Sequence, residues 1–230
     1  LQTDQSGGAE RPYIVTESGI YIDVSSVPAL NEVEAEELSQ FLTLLKNKIS
    51  SDDLLHEVAV HEAGHIIQFA LQKINRVNLY GPTVRYRPKC KTSHFYGFPA
   101  AVKETKTAEQ VTNDVDGVKL LTKRCVSGGV ATHIVFGRKF EDLEDEMSDD
   151  HDQFEKMCDI AVSTAAKSAH PFTIECPRLW SAMLGRVTKT YKSRLSIQAE
   201  ILTVAEQVKE AIRSWRAEQP IPISCDLRPT

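Results

Sequence analysis

The chain has 230 residues, 41% hydrophobic and 26% charged, the balance of a soluble globular protein with a sizeable core. A formal net charge of −5 argues against a nucleic-acid surface, which calls for a clustered basic field. The five cysteines, at 90, 125, 158, 176 and 225, are scattered, odd in number and never in a CxxC pair. That indicates neither a zinc ribbon nor a disulfide framework and fits a reducing, cytoplasmic setting.

From the N-terminus, LQTDQSGGAERP is polar rather than signal-like, and no apolar run in the chain approaches the roughly 18 residues of a membrane span. A chain that opens on Leu1 leaves room for residues upstream. Residues 1–12 read as a loose tail and 13–230 as a single, mainly α-helical domain with a small β element (α+β). PYIVTESGIYIDV holds two β-rich runs around Glu17-Ser18-Gly19, which predicts a hairpin near residues 13–24. Val33, Leu38, Phe41, Leu42, Leu45 and Ile49 then recur at helical spacing over 31–49, with acids in the first turn. Ser50 or Ser51 caps the next helix, Asp52 and Asp53 suit its positive end, and it runs to about Lys73.

That helix carries VAVHEAGHIIQFAL, residues 58–71. Positions i and i+4 share a helical face, so His61 and His65 can point two imidazoles at one metal ion. Glu62 is rotated by about 100° from His61, beside the metal's open position, where it can take a proton from water. This is the physical content of the HExxH motif of zinc peptidases. Chance alone gives HExxH in roughly 1% of chains of this length and composition. The flanking Ala59, Val60, Ile66, Ile67, Phe69 and Ala70 would carry the imidazoles into an interior, where they need partners. Hydrogen-bonded core histidines would satisfy that need too, but a metal is the simplest partner for two neutral imidazoles.

From 76 to 99 the β-branched and aromatic residues, punctuated by Gly81-Pro82 and Pro88, predict short strands. Thr107 opens another helical stretch, with Val111, Val115, Val118, Leu120, Leu121 and Cys125 on its apolar side. SGGVATHIVFG at 127–137 reads as a further helix, whose small residues allow close packing. An acidic segment, RKFEDLEDEMSDDHD, follows, most of its charges solvated. A helix over about 149–168 comes next, then a helical region at 178–218, either two helices or one bent one. No internal repeat is visible.

Several of these segments, in order, resemble the peptidase domain of the FtsH family of zinc metalloproteases. AVHEAGHI at 59–66 is similar to that family's AxHEAGHA helix, and VRYRPKCKTSHFYGFP at 84–99 to its VTIIPRG–LGYT–LP strand and turn. VSGGVATHIVFG at 126–137 looks like a diverged LGGRxAEExxFG helix, and SDDHDQFEKM at 148–157 is similar to the SNDLxxAT helix start, whose Asp is the third zinc ligand. The likeness covers roughly residues 50–165, closest at HEAGH. The chain departs from the family in three places. No GxxxxGK[ST] sequence offers the phosphate loop of the family's ATPase module. Ala131-Thr132-His133 stands where the family has its AEE carboxylates, and the acidic run before the third ligand is longer.

The resemblance implies a zincin-like helical domain, its β element beside the HEAGH helix, with Zn²⁺ held by His61, His65 and a third ligand. Ungapped alignment from Ser148 makes that ligand Asp150, the preferred choice. Aligning on the IA pair at 160–161 instead brings up Gln153 and its neighbour Asp152. With Glu62 as catalytic base, the implied function is ATP-independent hydrolysis of flexible peptide or unfolded protein segments. The alternative is a metal-binding, protease-like interaction or regulatory protein with little turnover, or a regulator that cleaves one dedicated partner. The implied partners are a peptide or protein substrate, and a homo-oligomer or partner protein is left open; no nucleic acid or membrane segment is expected. His94, His133 and His151 are minor candidates as ligands or substrate contacts, and His56, at i−5 from His61, is expected to be exposed. Tyr86 and Arg87 are placed on a strand where an extended peptide could pair. The cysteines read as small buried hydrophobes.

Overall fold

Gly19 sets the first turn. At φ +78° it takes a backbone conformation that other residues resist, and its N–H reaches Thr16 O at 2.9 Å. The turn joins β2 (Pro12–Val15) to β3 (Tyr21–Asp23) as the antiparallel hairpin expected, with Ile14 opposite Ile22. The structure, a computed structural model, describes residues 2–3, 12–23, 29–86, 95–98, 100–103, 115–165, 175–215, 221–225 and 227. Over these residues the chain is mainly helical with small sheets, and no helix among them is long and apolar enough to cross a membrane. Its close contacts define two compact units: Leu1–Ala59, Asn78–Lys103 and Glu206–Pro222 in one; Val60–Val77, Glu104–Ala205 and Ile223–Thr230 in the other.

The first unit holds a five-stranded sheet. β1 (Gln2–Thr3) flanks the hairpin, then β5 (Thr83–Tyr86) pairs parallel to β3, and β6 (Phe95–Phe98) pairs antiparallel to β5. Helix α1 (Glu32–Ser50) starts at a capping box: Glu34 N donates to Asn31 Oδ1 at 2.9 Å, and Asn31 N to Glu34 Oε2 at 3.0 Å. Its Leu38, Phe41, Leu42, Leu45 and Ile49 pack on Ile20, Val84, Tyr86 and Phe95. Val33, expected on that face, is 76% exposed, because it lies roughly 130° round the helix from the stripe at 38, 41, 42, 45 and 49. Ser51 separates α1 from α2 (Asp52–Leu71) and accepts from Leu54 N on its Oγ. At the other end of α2, Lys73 takes a left-handed φ of 64°. Its N–H bonds Ala70 O while Ile74 N bonds Phe69 O, which closes the helix two residues short of the expected Lys73.

A three-stranded sheet has the order β7-β4-β8, with β4 spanning Arg76–Tyr80, β7 Ala101–Lys103 and β8 Ile221–Ser224. The second unit is built on α3 (Val115–Phe136), α4 (Ser148–Ala165), α5 (Cys176–Ser193) and most of α6 (Leu195–Ser214). Helix α3 is one continuous helix, where the sequence suggested a separate helix at 127–137. Gly128 and Gly129 sit inside it, and Gly137, at φ +68°, ends it with its N–H on His133 O. Val118, Leu121 and Cys125 pack with Phe154, Met157, Cys158 and Ala161 of α4. Leu120 is 38% exposed, because the stripe at 118, 121 and 125 leaves it about 100° off the buried face. The region 178–218 resolves into two helices, parted at Arg194, whose φ −126° and ψ 99° are extended. Thr107 and Val111 lie outside the described residues.

Candidate metal centre

Helix α2 presents His61 and His65 on successive turns of one face, ring centroids 4.9 Å apart and inclined at 70°. The first turn of α4 brings Asp150 to both. Its Oδ2 lies 3.1 Å from His61 Nε2 and 3.4 Å from His65 Nε2. One donor atom from each of the three falls within 4.8 Å of the others, and each side chain keeps only 12–15% of its surface. Two imidazoles and a carboxylate are the donor set of a site with an open fourth position, so the group could hold a metal ion.

Helix α3 fixes the second histidine. His65 Nδ1 lies 2.7 Å from Arg124 O and 3.2 Å from Ser127 Oγ, and the Ser127 hydroxyl itself donates to Arg124 O. A proton on Nδ1 satisfies that carbonyl and leaves Nε2 to face Asp150. With no metal bound, burial opposes a charged His65. The Asp150 carboxylate overrides it, and with help from Glu62 and Arg124 O raises the imidazole from 6.5 to about 9. Burial likewise opposes a charged Asp150, yet His65 and His61 hold it down at about 2. Without a metal, the three side chains would therefore form an ion pair, the His65 proton facing the Asp150 carboxylate. Glu62 is buried at 8% exposure, close enough to favour the charged form of His65.

The crossing of α2 and α3 depends on two glycines. A Cβ at Gly128 would collide with Nε2 of both His61 and His65, and one at Gly64 would collide with Ser127 O and the Ala131 side chain. Tyr191 of α5 is fully buried and donates from its hydroxyl to Gly64 O at 2.8 Å, holding the same turn of α2 from another side. Arg124, Ser127, Gly128 and Tyr191 were not singled out from the sequence. Only the small-residue run SGG pointed toward them.

The other candidates lie elsewhere. Asp149, Asp152 and Gln153 are exposed and outside the three-residue group. His151 stands edge-on to Trp180 at 4.8 Å, with Nδ1 3.8 Å from Glu155 Oε1. His133 stacks on Phe140, its Nδ1 2.5 Å from Arg138 O and its Nε2 3.0 Å from Lys192 Nζ. His56 is half-buried rather than exposed, its Nδ1 3.6 Å from Glu206 Oε1, because α6 brings that acid alongside. Tyr86 donates to Glu34 and lies on β5, an inner strand with β3 on one side and β6 on the other; its backbone is already paired and takes no added peptide. Arg87, His94 and Cys90 lie outside the described residues. Cys125, Cys158 and Cys225 are buried as expected, and Cys176 is half-buried.

Fold and site together define a mainly helical protein with a helix-borne His-His-Asp centre. No protein-family model, curated protein or solved structure matches the chain.

Proposed function

We infer that this protein is a zinc-dependent peptidase of zincin type, resembling the FtsH peptidase domain in its centre. The observation that carries the reading is the convergence of His61, His65 and Asp150 from two helices, His61 and Asp150 standing 89 residues apart in sequence, beside a buried acid that follows the first histidine. A purely structural metal site has no need of that acid. Zinc held there would supply a Lewis acid that polarises a peptide carbonyl and makes water acidic enough to attack it. Glu62 takes the proton of the attacking water and returns it to the departing amine nitrogen. Arg124 O and Ser127 keep the His65 ring from turning, and Tyr191 keeps α2 in register. Flexible peptides and unfolded segments are the expected substrates.

The second reading, a metal-binding interaction protein with little turnover, draws on the 131–133 segment. Ala131 and Thr132 are fully buried and His133 is occupied by Arg138 and Lys192, so this stretch supplies no carboxylate. Zinc analysis and cleavage of a peptide library by the protein and its Glu62→Gln variant separate the two. The peptidase reading expects retained zinc and hydrolysis lowered at least about 100-fold in the variant. Equal cleavage by both proteins removes Glu62 from its role, and zinc binding with no cleavage by either favours the second reading.

A further inference from the structure

Two turns beyond Asp150 on α4, Cys158 is 1% exposed in the cluster it shares with Val118, Cys125 and Phe154. Cys176, the first residue of α5, packs against the same cluster, near enough to the Cys158 thiol to raise its pKa. Cys176 keeps part of its surface while Cys158 is covered, which makes Cys176 the member of the pair for a reagent to meet first. We propose that Cys158 and Cys176 form an oxidisable dithiol that a small disulfide converts to an intramolecular disulfide, tying α4 to the start of α5.

A disulfide needs Cβ atoms roughly 3.5–4.5 Å apart, and two cysteines packed in one cluster are the pair placed to approach that geometry. The role of small buried hydrophobe suits Cys125, sealed at 4% exposure, better than a half-buried cysteine at a helix start beside a second cysteine. The chemistry runs in two exchanges. Cys176 loses its proton and attacks one sulfur of the reagent; the reagent's S–S bond breaks and the released thiolate takes up a proton. Cys158 then loses its proton and attacks Cys176 Sγ in the mixed disulfide, expelling the second thiol. Two protein thiols have lost two electrons and two protons, and the reagent has become two thiols. Burial, then the neighbouring Cys176, push the Cys158 thiol well up, so the second exchange is the slow one and the mixed disulfide accumulates briefly. None of this depends on a metal at the histidines.

The test is incubation of the full chain with oxidised glutathione near neutral pH, followed by non-reducing tryptic mapping. Lys156, Lys167 and Arg178 place the two cysteines on separate peptides, 157–167 and 168–178. The proposal expects these peptides joined by one disulfide, and a melting temperature raised by roughly 5–10 °C over the reduced protein. Cys125→Ser should still form the link. Cys158→Ser should stop at a glutathione adduct on peptide 168–178, and Cys176→Ser should leave peptide 157–167 unmodified. A persistent adduct on Cys176 of the unmutated chain, a link from either cysteine to another one, or no change at either peptide overturns the proposal.

Discussion

At the scale of single residues, the centre has a charge that titrates. With no metal bound, His65 is raised from 6.5 to about 9 and Asp150 lowered from 3.8 to about 2. A raised imidazole stabilises the fold fully below its unfolded value, and that contribution disappears as pH rises through about 9. A depressed carboxylate contributes above its unfolded value and loses that contribution as pH falls through about 2. The two act together at full strength between about pH 4 and 6.5, so the chelator-treated protein should melt highest there and progressively lower towards pH 9. A flat alkaline limb in the unmutated chain, or a falling limb that persists in His65→Ala, would remove the ion pair from the account. The same proton opposes zinc, and affinity should weaken about tenfold for each pH unit below 9. Gly128 gives a second residue-scale expectation. Alanine favours the helix but would drive its methyl into both Nε2 atoms, so Gly128→Ala should keep its helical circular dichroism and lose zinc affinity by at least about tenfold. Unchanged affinity would mean that the histidines bind metal from another face.

The helices show where the sequence was readable. Helix α2 announced itself through a capping serine, acids in its first turn and an apolar surround, all local signals. Asp150 was legible only by alignment, because three carboxylates at one helix start look alike until a partner helix selects one. Helix α3 was divided ahead of residue 127 in the sequence reading, which kept Gly128 and Gly129 in a separate helix, although two adjacent glycines cost a helix interior about 2 kcal/mol. What keeps them there is the close passage of α2, a tertiary fact with no trace in the local pattern. Val33 and Leu120 failed for a local reason: each lies at least about 100° round its helix from the buried stripe, and an apolar run does not by itself assign every member to one face. The first turn of α4 tests how well a helix face selects a ligand. Successive residues point about 100° apart, so Asp149 and Asp152 cannot share the direction of Asp150. Competition against a chelator should find zinc affinity much reduced in Asp150→Ala and little changed in Asp149→Ala and Asp152→Ala. Equal affinities across the three would place the third donor elsewhere.

For the whole chain, what the sequence hid is long-range. The hairpin of β2 and β3 was visible in one stretch, but the parallel pairing of Tyr21 with Thr83 joins segments some 60 residues apart. Parallel pairing leaves no turn signature, because the connection can be any length. The candidate metal centre behaves differently, since every residue that builds or holds it, from His61 through Arg124 and Asp150 to Tyr191, belongs to the second compact unit. Each unit also carries one tryptophan, Trp215 in the first and Trp180 in the second, so their unfolding can be followed separately in Trp180→Phe and Trp215→Phe variants. A ligand that binds only the folded state stabilises it by about 2.7 kcal/mol at a hundredfold excess over Kd. For a chain of this size that is a rise of roughly 5–10 °C in the transition reported by Trp180, reversed by a chelator and absent in His65→Ala. If Trp215 reports the same rise, the two units unfold as one cooperative block; if it stays put, they unfold independently and zinc stabilises only the second. A Trp180 transition that ignores zinc, or one that shifts equally in His65→Ala, would mean that the cation is held by neither histidine turn of α2.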